Sequence, residues 1–158
     1  MQAVGFASAI KAAAIAHWAD AVGTASLLAY DGMPSPFEER VHALRPHHGQ
    51  VGVARSVRTW AEGSPGWHYG KAHVQDPYSF RCMPQVHGAS RDAWSHALRV
   101  LQTESCSVTD NPLVFTDSGD GVSAGHFHGQ PLALVFDYVK IASAEWGSIS
   151  ERRINQLC

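Results

Sequence analysis

What this 158-residue chain is short of is charge: Asp, Glu, Lys and Arg make up 16% of it, against about a quarter in an average globular protein. A small free-standing domain has a large surface to solvate and normally uses charge to do so. The shortage points to a surface partly covered by more protein, either a longer parent chain or further copies. The net charge of −2 provides no basic field for nucleic acid, and no run of Lys and Arg offers itself to an anionic membrane. Cysteine is scarce as well. Cys82, Cys106 and Cys158 are odd in number and widely spaced, so they read as free thiols rather than a disulfide framework. Long apolar runs are missing, because Lys11 and Asp20 interrupt the N-terminal stretch before it reaches the ~18 residues of a spanning helix. No basic segment precedes that stretch as it would in a signal peptide, so the cytoplasm is the expected location.

Most catalytic signatures are absent too. There is no Gly-x-Ser-x-Gly elbow, no phosphate-cradling loop ending in Gly-Lys-Ser/Thr and no dinucleotide fingerprint. His47, His48, His126 and His128 raise the question of zinc. Neither His-Glu-x-x-His nor Cys-x-x-Cys occurs, and residues two apart in an extended segment face opposite ways, so no metal is expected.

What is present reads as helix. Ala3, Ala7, Ile10, Ala14, Ile15, Trp18 and Val22 recur at three- and four-residue spacing over the first thirty residues, which predicts one long helix with that stripe as its apolar face. Asp31-Gly32-Met33-Pro34-Ser35-Pro36 ends it. A short helical piece is expected around residues 38–44 and a moderate helix over 50–62, followed by a loop from Gly63 to about Pro77. Residues 84–105 repeat the helical pattern with Trp94, Leu98 and Leu101 on one face. A last long helix from about Gly129 carries Leu132, Val135, Phe136, Val139, Ala142, Trp146 and Ile149. Pro131 fits its first turn, where the missing N–H is an orphan anyway. Between these two helices, Cys106 to Gly125 reads as a long loop whose Leu113, Val114 and Phe115 should pack on something. With no convincing strand pair, the class is all-α, and the first and last long helices are expected to pack antiparallel.

Three segments carry polar groups suited to chemistry: 74–82, 109–115 and 125–129. In the first, Gln75, Tyr78 and Arg81 are spaced by three, which aligns an amide, a phenol and a guanidinium if the segment is helical. Such a row suits an amino acid, because a guanidinium can grip a carboxylate through two parallel N–H bonds. The competing reading is a polar loop in which Arg81 pairs with Asp76 or caps a helix end.

Taken in order, the motifs resemble a known family. Gln75-Asp76-Pro77-Tyr78-Ser79-x-Arg81-Cys82-x-Pro84-Gln85-Val86-His87-Gly88, Asp110-Asn111-Pro112-Leu113-Val114-Phe115 and Phe127-His128-Gly129 are similar to stretches of the histidine ammonia-lyases, within the aromatic amino-acid ammonia-lyases. His42-Ala43-Leu44-Arg45-Pro46-His47 and Ser150-Glu151-Arg152-Arg153 extend the likeness through the whole chain. Phe127-His128 resembles the histidine branch more than the phenylalanine branch.

The resemblance implies a long antiparallel helical bundle, a homotetramer, and elimination of ammonia from L-histidine to give urocanate. It implies a methylidene-imidazolone prosthetic group, an electrophile formed from an Ala-Ser-Gly tripeptide. By the same resemblance Arg81 binds the substrate carboxylate, Tyr78 and Gln75 line the site, and Phe127 packs beside the prosthetic ring. A related aromatic ammonia-lyase, an aminomutase or an inactive assembly fragment are the alternatives. This chain departs from the pattern in holding no Ala-Ser-Gly: Gly88-Ala89-Ser90 is followed by Arg91, and Thr24-Ala25-Ser26 by Leu27. Cys106, Ala124 and His126 stand where relatives usually carry asparagine, glycine and asparagine. The expectation is that residues 1–158 are the central helical part of such an enzyme, truncated at both ends and inactive alone.

Overall fold

The computed structural model describes all residues, 1–158. Its helices are α1 (Gln2–Ala29), α2 (Glu39–Ala43), α3 (His48–Ala61), α4 (Tyr78–Arg81), α5 (Met83–Ser105) and α6 (Gln130–Leu157), with a 3₁₀ turn at Ser35–Phe37 ahead of α2. The breaks follow the prolines and glycines. Asp31 takes a positive φ of 61° just past α1, a conformation Asp tolerates better than most residues, and Pro84 and Pro131 sit in the first turns of α5 and α6.

The three long helices form one layered unit. Gln2 donates to the Glu104 carbonyl and Asp20 meets His87, so α1 and α5 run antiparallel. Ser90 donates to the Ala142 carbonyl and Arg153 reaches Met83, so α5 and α6 are antiparallel as well. Two reversals leave α1 and α6 parallel, with Gly5 beside Phe136 and Gly23 beside Arg153. The expected antiparallel packing of the first and last helices is therefore corrected: α5 is the antiparallel partner of both.

The stripe expected to bury α1 faces outward. Ile10, Ile15, Trp18 and Val22 are exposed, Trp18 by 66%, while Gly5, Ala12, Ala16, Asp20, Gly23, Thr24 and Leu27 face the bundle. Small residues win the inner face because the helices approach closely. A Cβ on Gly5 would lie 2.6 Å from a Phe136 ring carbon and 2.7 Å from Leu101 Cδ2. On α6 the expected apolar face is buried, apart from a half-buried Phe136. On α5 the inner positions are Ala93, Ala97 and Leu101, with Trp94 half-buried and Leu98 largely outside. A separate apolar cluster of Leu27, Phe37, Val53, Val57, Phe80 and Met83 joins α1, the 3₁₀ turn, α3, α4 and the start of α5.

The segment between α5 and α6 is not only loop. Leu113–Phe115 (β1) and Asp120–Val122 (β2) pair antiparallel, with Leu113 opposite Val122. Gly119, at φ 77°, closes the turn by donating to the Phe115 carbonyl at 2.8 Å. Three-residue strands are too short for alternation to reveal them. Val114, Phe115 and Val122 remain exposed, so the packing expected for this segment is not made within the chain.

A buried polar network crosses the core. Asp20 is fully buried and accepts from His87 Nδ1 at 2.6 Å and from the Arg91 guanidinium at 2.5 Å. The other ring nitrogen of His87, Nε2, lies 3.4 Å from Arg153 Nη2, a donor, so the imidazole is neutral with its proton on Nδ1. Arg153 also reaches Met83 Sδ at 3.1 Å and Ser150 Oγ at 3.0 Å. Burial holds the His87 pKa below its ordinary 6.5 and outweighs the attraction of Asp20, while Arg153 and Arg91 push the same way as burial. His42 is likewise held low by burial.

Three expectations follow from this packing. Asp20→Ala leaves the guanidinium groups of Arg91 and Arg153 around His87 without a buried anion, and should cost about 3–5 kcal/mol in denaturant unfolding. The two histidines set the pH response. Below the ordinary 6.5 the unfolded chain takes up protons that the native state refuses, so stability falls with pH. Denaturant midpoints at about pH 7.5 and about pH 5.5 should show the drop, and an unchanged midpoint would contradict the burial of His87. The outward stripe of α1, together with Leu134, Tyr138 and Ile141 on α6, should also drive self-association. Light scattering should report a mass of at least a dimer, and a clean monomer at high concentration would count against it.

Candidate functional site

The segment from His73 to Arg81 is anchored alternately. Phe80 is driven into the core, stacked on Tyr30 with ring centroids 4.4 Å apart and planes at 18°. Pro77 opens α4, its carbonyl accepting from the N–H groups of Phe80 and Arg81, both at 3.1 Å. With Asp76, Ser79 and Phe80 inward, Gln75, Tyr78 and Arg81 are left on the outer side. All three line one cleft of about 750 Å³, so the spacing-based grouping is realised although Gln75 lies before the helix.

Within the cleft the Arg81 guanidinium carbon sits 4.6 Å from the centroid of the Tyr78 ring, a cation–π contact that holds the two together. Tyr78 is 72% exposed. Arg81 Nε is buried without a hydrogen-bond partner. The competing pairing of Arg81 with Asp76 is not made: the Asp76 carboxylate accepts instead from Met33 N–H at 2.7 Å and from His73 Nε2 at 2.6 Å. A guanidinium with an unsatisfied buried donor beside a phenol and an amide can receive a carboxylate.

The opposite wall comes from α6. Glu145, Ser148, Ile149, Arg152 and Gln156 line the same cleft, and their three- and four-residue steps put them on one face. In the sequence that polar stripe reads as solvated surface, and only Arg152 stands within a motif. Glu145 and Gln156 were missed.

Phe127 is elsewhere. It lies just before α6, 62% exposed, in a second hollow with Met1, Glu104, His126 and Leu132. Some twenty residues of α6 separate it from the Arg81 cleft, about 30 Å of helix at 1.5 Å per residue. One chain therefore does not bring Phe127 together with Gln75, Tyr78 and Arg81. His126 and His128 share that far end, and His47 and His48 sit at the start of α3. No helix is long and apolar enough to cross a membrane.

The fold, a helical bundle with one short hairpin, is of the ammonia-lyase type. The profile described as aromatic amino acid lyase matches residues 1–158, and the chain belongs to that family. It is 48% identical over 158 residues to a histidine ammonia-lyase of Caldanaerobacter subterraneus subsp. tengcongensis, covering 99% of this chain and 31% of the relative. Among solved structures it is similar to histidine ammonia-lyase from Trypanosoma cruzi, with 38% identity and a TM-score of 0.86 over 99% of this chain and 28% of that one. It is also similar to tyrosine aminomutase from Streptomyces globisporus, with 34% identity and a TM-score of 0.93 over 98% of this chain and 33% of that one. The chain thus spans about a third of the length of the curated relatives it matches.

Proposed function

We propose that this chain is the central helical part of a histidine ammonia-lyase, an enzyme of the cytoplasm that eliminates ammonia from L-histidine to give urocanate. The observation that carries the reading is the cleft in which Arg81, Tyr78 and Gln75 converge, in a chain 48% identical to a histidine ammonia-lyase throughout its length. Arg81 binds the substrate carboxylate through its guanidinium fork. Gln75 orients the amino acid, and Tyr78, held against Arg81, donates a hydrogen bond or moves a proton at the bound substrate.

The family's methylidene-imidazolone, when present, supplies the electrophile that makes removal of a weakly acidic β-proton feasible. The chain's residues fit such a group in one respect: Phe127 presents an exposed ring at the mouth of α6, free to lie beside a planar heterocycle. The Ala-Ser-Gly from which the group forms is not among these 158 residues, so another part of the parent polypeptide provides it. Because Phe127 and Arg81 sit at opposite ends of α6, a site using both draws them from different copies. Homotetrameric assembly through the outward faces of α1 and α6 accounts for that and for the low charge.

A second reading, a related aminomutase, is favoured by the TM-score of 0.93 to tyrosine aminomutase. Product analysis separates them: urocanate from histidine supports the lyase, whereas a β-amino acid from tyrosine supports the mutase.

Two outcomes test the reading. In the complete gene product, Arg81→Lys keeps the charge and loses the fork. A charge-assisted bond of about 1.5–3 kcal/mol is then forfeited, and kcat/KM should fall by about one to two orders of magnitude. An unchanged value would remove Arg81 from the site. The 158-residue chain alone should form no urocanate above background, since orientation by Arg81, Gln75 and Tyr78 does not make a β-proton leave. Reproducible turnover by purified chain, followed by urocanate absorbance and free of host enzyme, would sink the claim that the tripeptide is indispensable.

A further inference from the structure

Between Gln75 and Tyr78, among the residues that line the cleft, stands a carboxylate that is buried and does not reach Arg81. Asp76 is 2% exposed and its side chain is sealed from solvent. Its Oδ2 accepts from the backbone N–H of Met33, in the turn that follows α1, at 2.7 Å, and its Oδ1 accepts from His73 Nε2 at 2.6 Å. Burying a carboxylate is costly unless hydrogen bonds replace its water, and here both oxygens are engaged. The bonds close the fifteen-residue stretch from Gly63 to Pro77 against the end of α1. His73 is itself placed by Tyr30, whose ring it meets edge-on at 6.2 Å and whose other contact is the stacked Phe80.

We infer that Asp76 is a positioning residue for Gln75 and Tyr78. Its two hydrogen bonds fix the backbone from which the amide and the phenol enter the cleft, and it touches no substrate itself. The inference rests on the lyase reading above. The side chains themselves have little else to hold them: that of Gln75 makes no hydrogen bond and the Tyr78 ring rests on Arg81, while the buried Phe80 anchors the α4 backbone from the other side. Without Asp76 the polar ties of the chain before Pro77 to the body of the fold lie further upstream: Lys71 and His68 at Asp31, and the Ser64 N–H on the Ala61 carbonyl.

The test is kinetic, on the complete gene product, beginning with the unaltered enzyme. If that enzyme forms no urocanate from L-histidine, the lyase reading fails and the role of Asp76 in this reaction falls with it. If it does, Asp76→Ala should lower kcat/KM by about a hundredfold, the scale of an ångström-size misplacement of site groups. The loss should appear in kcat as well as KM, because saturating substrate cannot restore the backbone. Asp76→Asn should recover most of the activity, since an amide can accept from Met33 and donate to the other tautomer of His73. A variant Asp76→Ala with a lowered Tm but unaltered kcat and KM would overturn the inference, as would an Asn variant as impaired as Ala. Should Asp76→Ala fail to fold, His73→Ala carries the test. It removes one bond from the more open side and should lower kcat/KM by about three- to tenfold, and an unchanged value would overturn the proposal.

Discussion

Everything in this molecule leans on one buried carboxylate. Asp20 is the only anion in a pocket that holds two guanidinium groups and an imidazole, and its oxygens are both committed, one to His87 and one to Arg91. Arg153 is linked to Asp20 by hydrogen bonding through the neutral ring of His87. Each of the three long helices contributes to this chain of contacts: α1 the acid, α5 the imidazole and one guanidinium, α6 the other. Apolar packing of alanines and glycines would permit these helices to slide along one another, because small side chains interlock weakly. A hydrogen-bonded ion network has one register, since a shift of a residue leaves charges buried and unpaired at a cost of several kcal/mol. The absence of room for a Cβ at Gly23, where Met83 and Arg153 press in, belongs to the same constraint.

That register decides where the cleft lies. Met83 and His87 open α5 immediately after Arg81 and Cys82, and both are contacted by Arg153. Its neighbour Arg152 turns the other way and lines the cleft with Glu145 and Gln156. The two walls of the cleft are thus tied together from behind by a single side chain, while Asp76 and Phe80 fix the near wall from below. Binding groups on the surface of a helix pair inherit the precision of the core only if such ties exist.

The sequence made the helices legible because their breaks are chemical: glycine, proline and aspartate stand at nearly every end. It made the cleft legible because Gln75, Tyr78 and Arg81 recur at helical spacing in one short segment. The facing of α1 was not legible. A helix with bulky apolar residues on one side and alanine and glycine on the other is expected, from hydrophobicity alone, to bury the bulky side. Close packing inverts the expectation, and the parallel course of α1 and α6 escaped for a related reason, since periodicity carries no information about direction. The hairpin at Leu113–Val122 escaped because its strands are three residues long and fully open on one side. Glu145 and Gln156 escaped because a polar stripe on a long helix reads as solvated surface until something is seen to face it.

The inversion of α1 connects the composition to the site. A chain with little charge exposes Trp18, Val22, Tyr138 and Ile141 along helices about 40 Å long, so its outer surface has the character of an inner one. Phe127 lies just ahead of α6, and Arg81, on α4, faces the far half of the same helix. A rigid rod cannot bend to join its own two ends, so cooperation between those residues requires a second rod lying alongside in the opposite sense. The apolar stripes supply the surface on which a second rod would lie. On the proposed assembly, low charge, outward tryptophan and the separation of Phe127 from Arg81 would follow from one arrangement, in which α6 both walls the cleft and carries part of the surface on which another copy would lie.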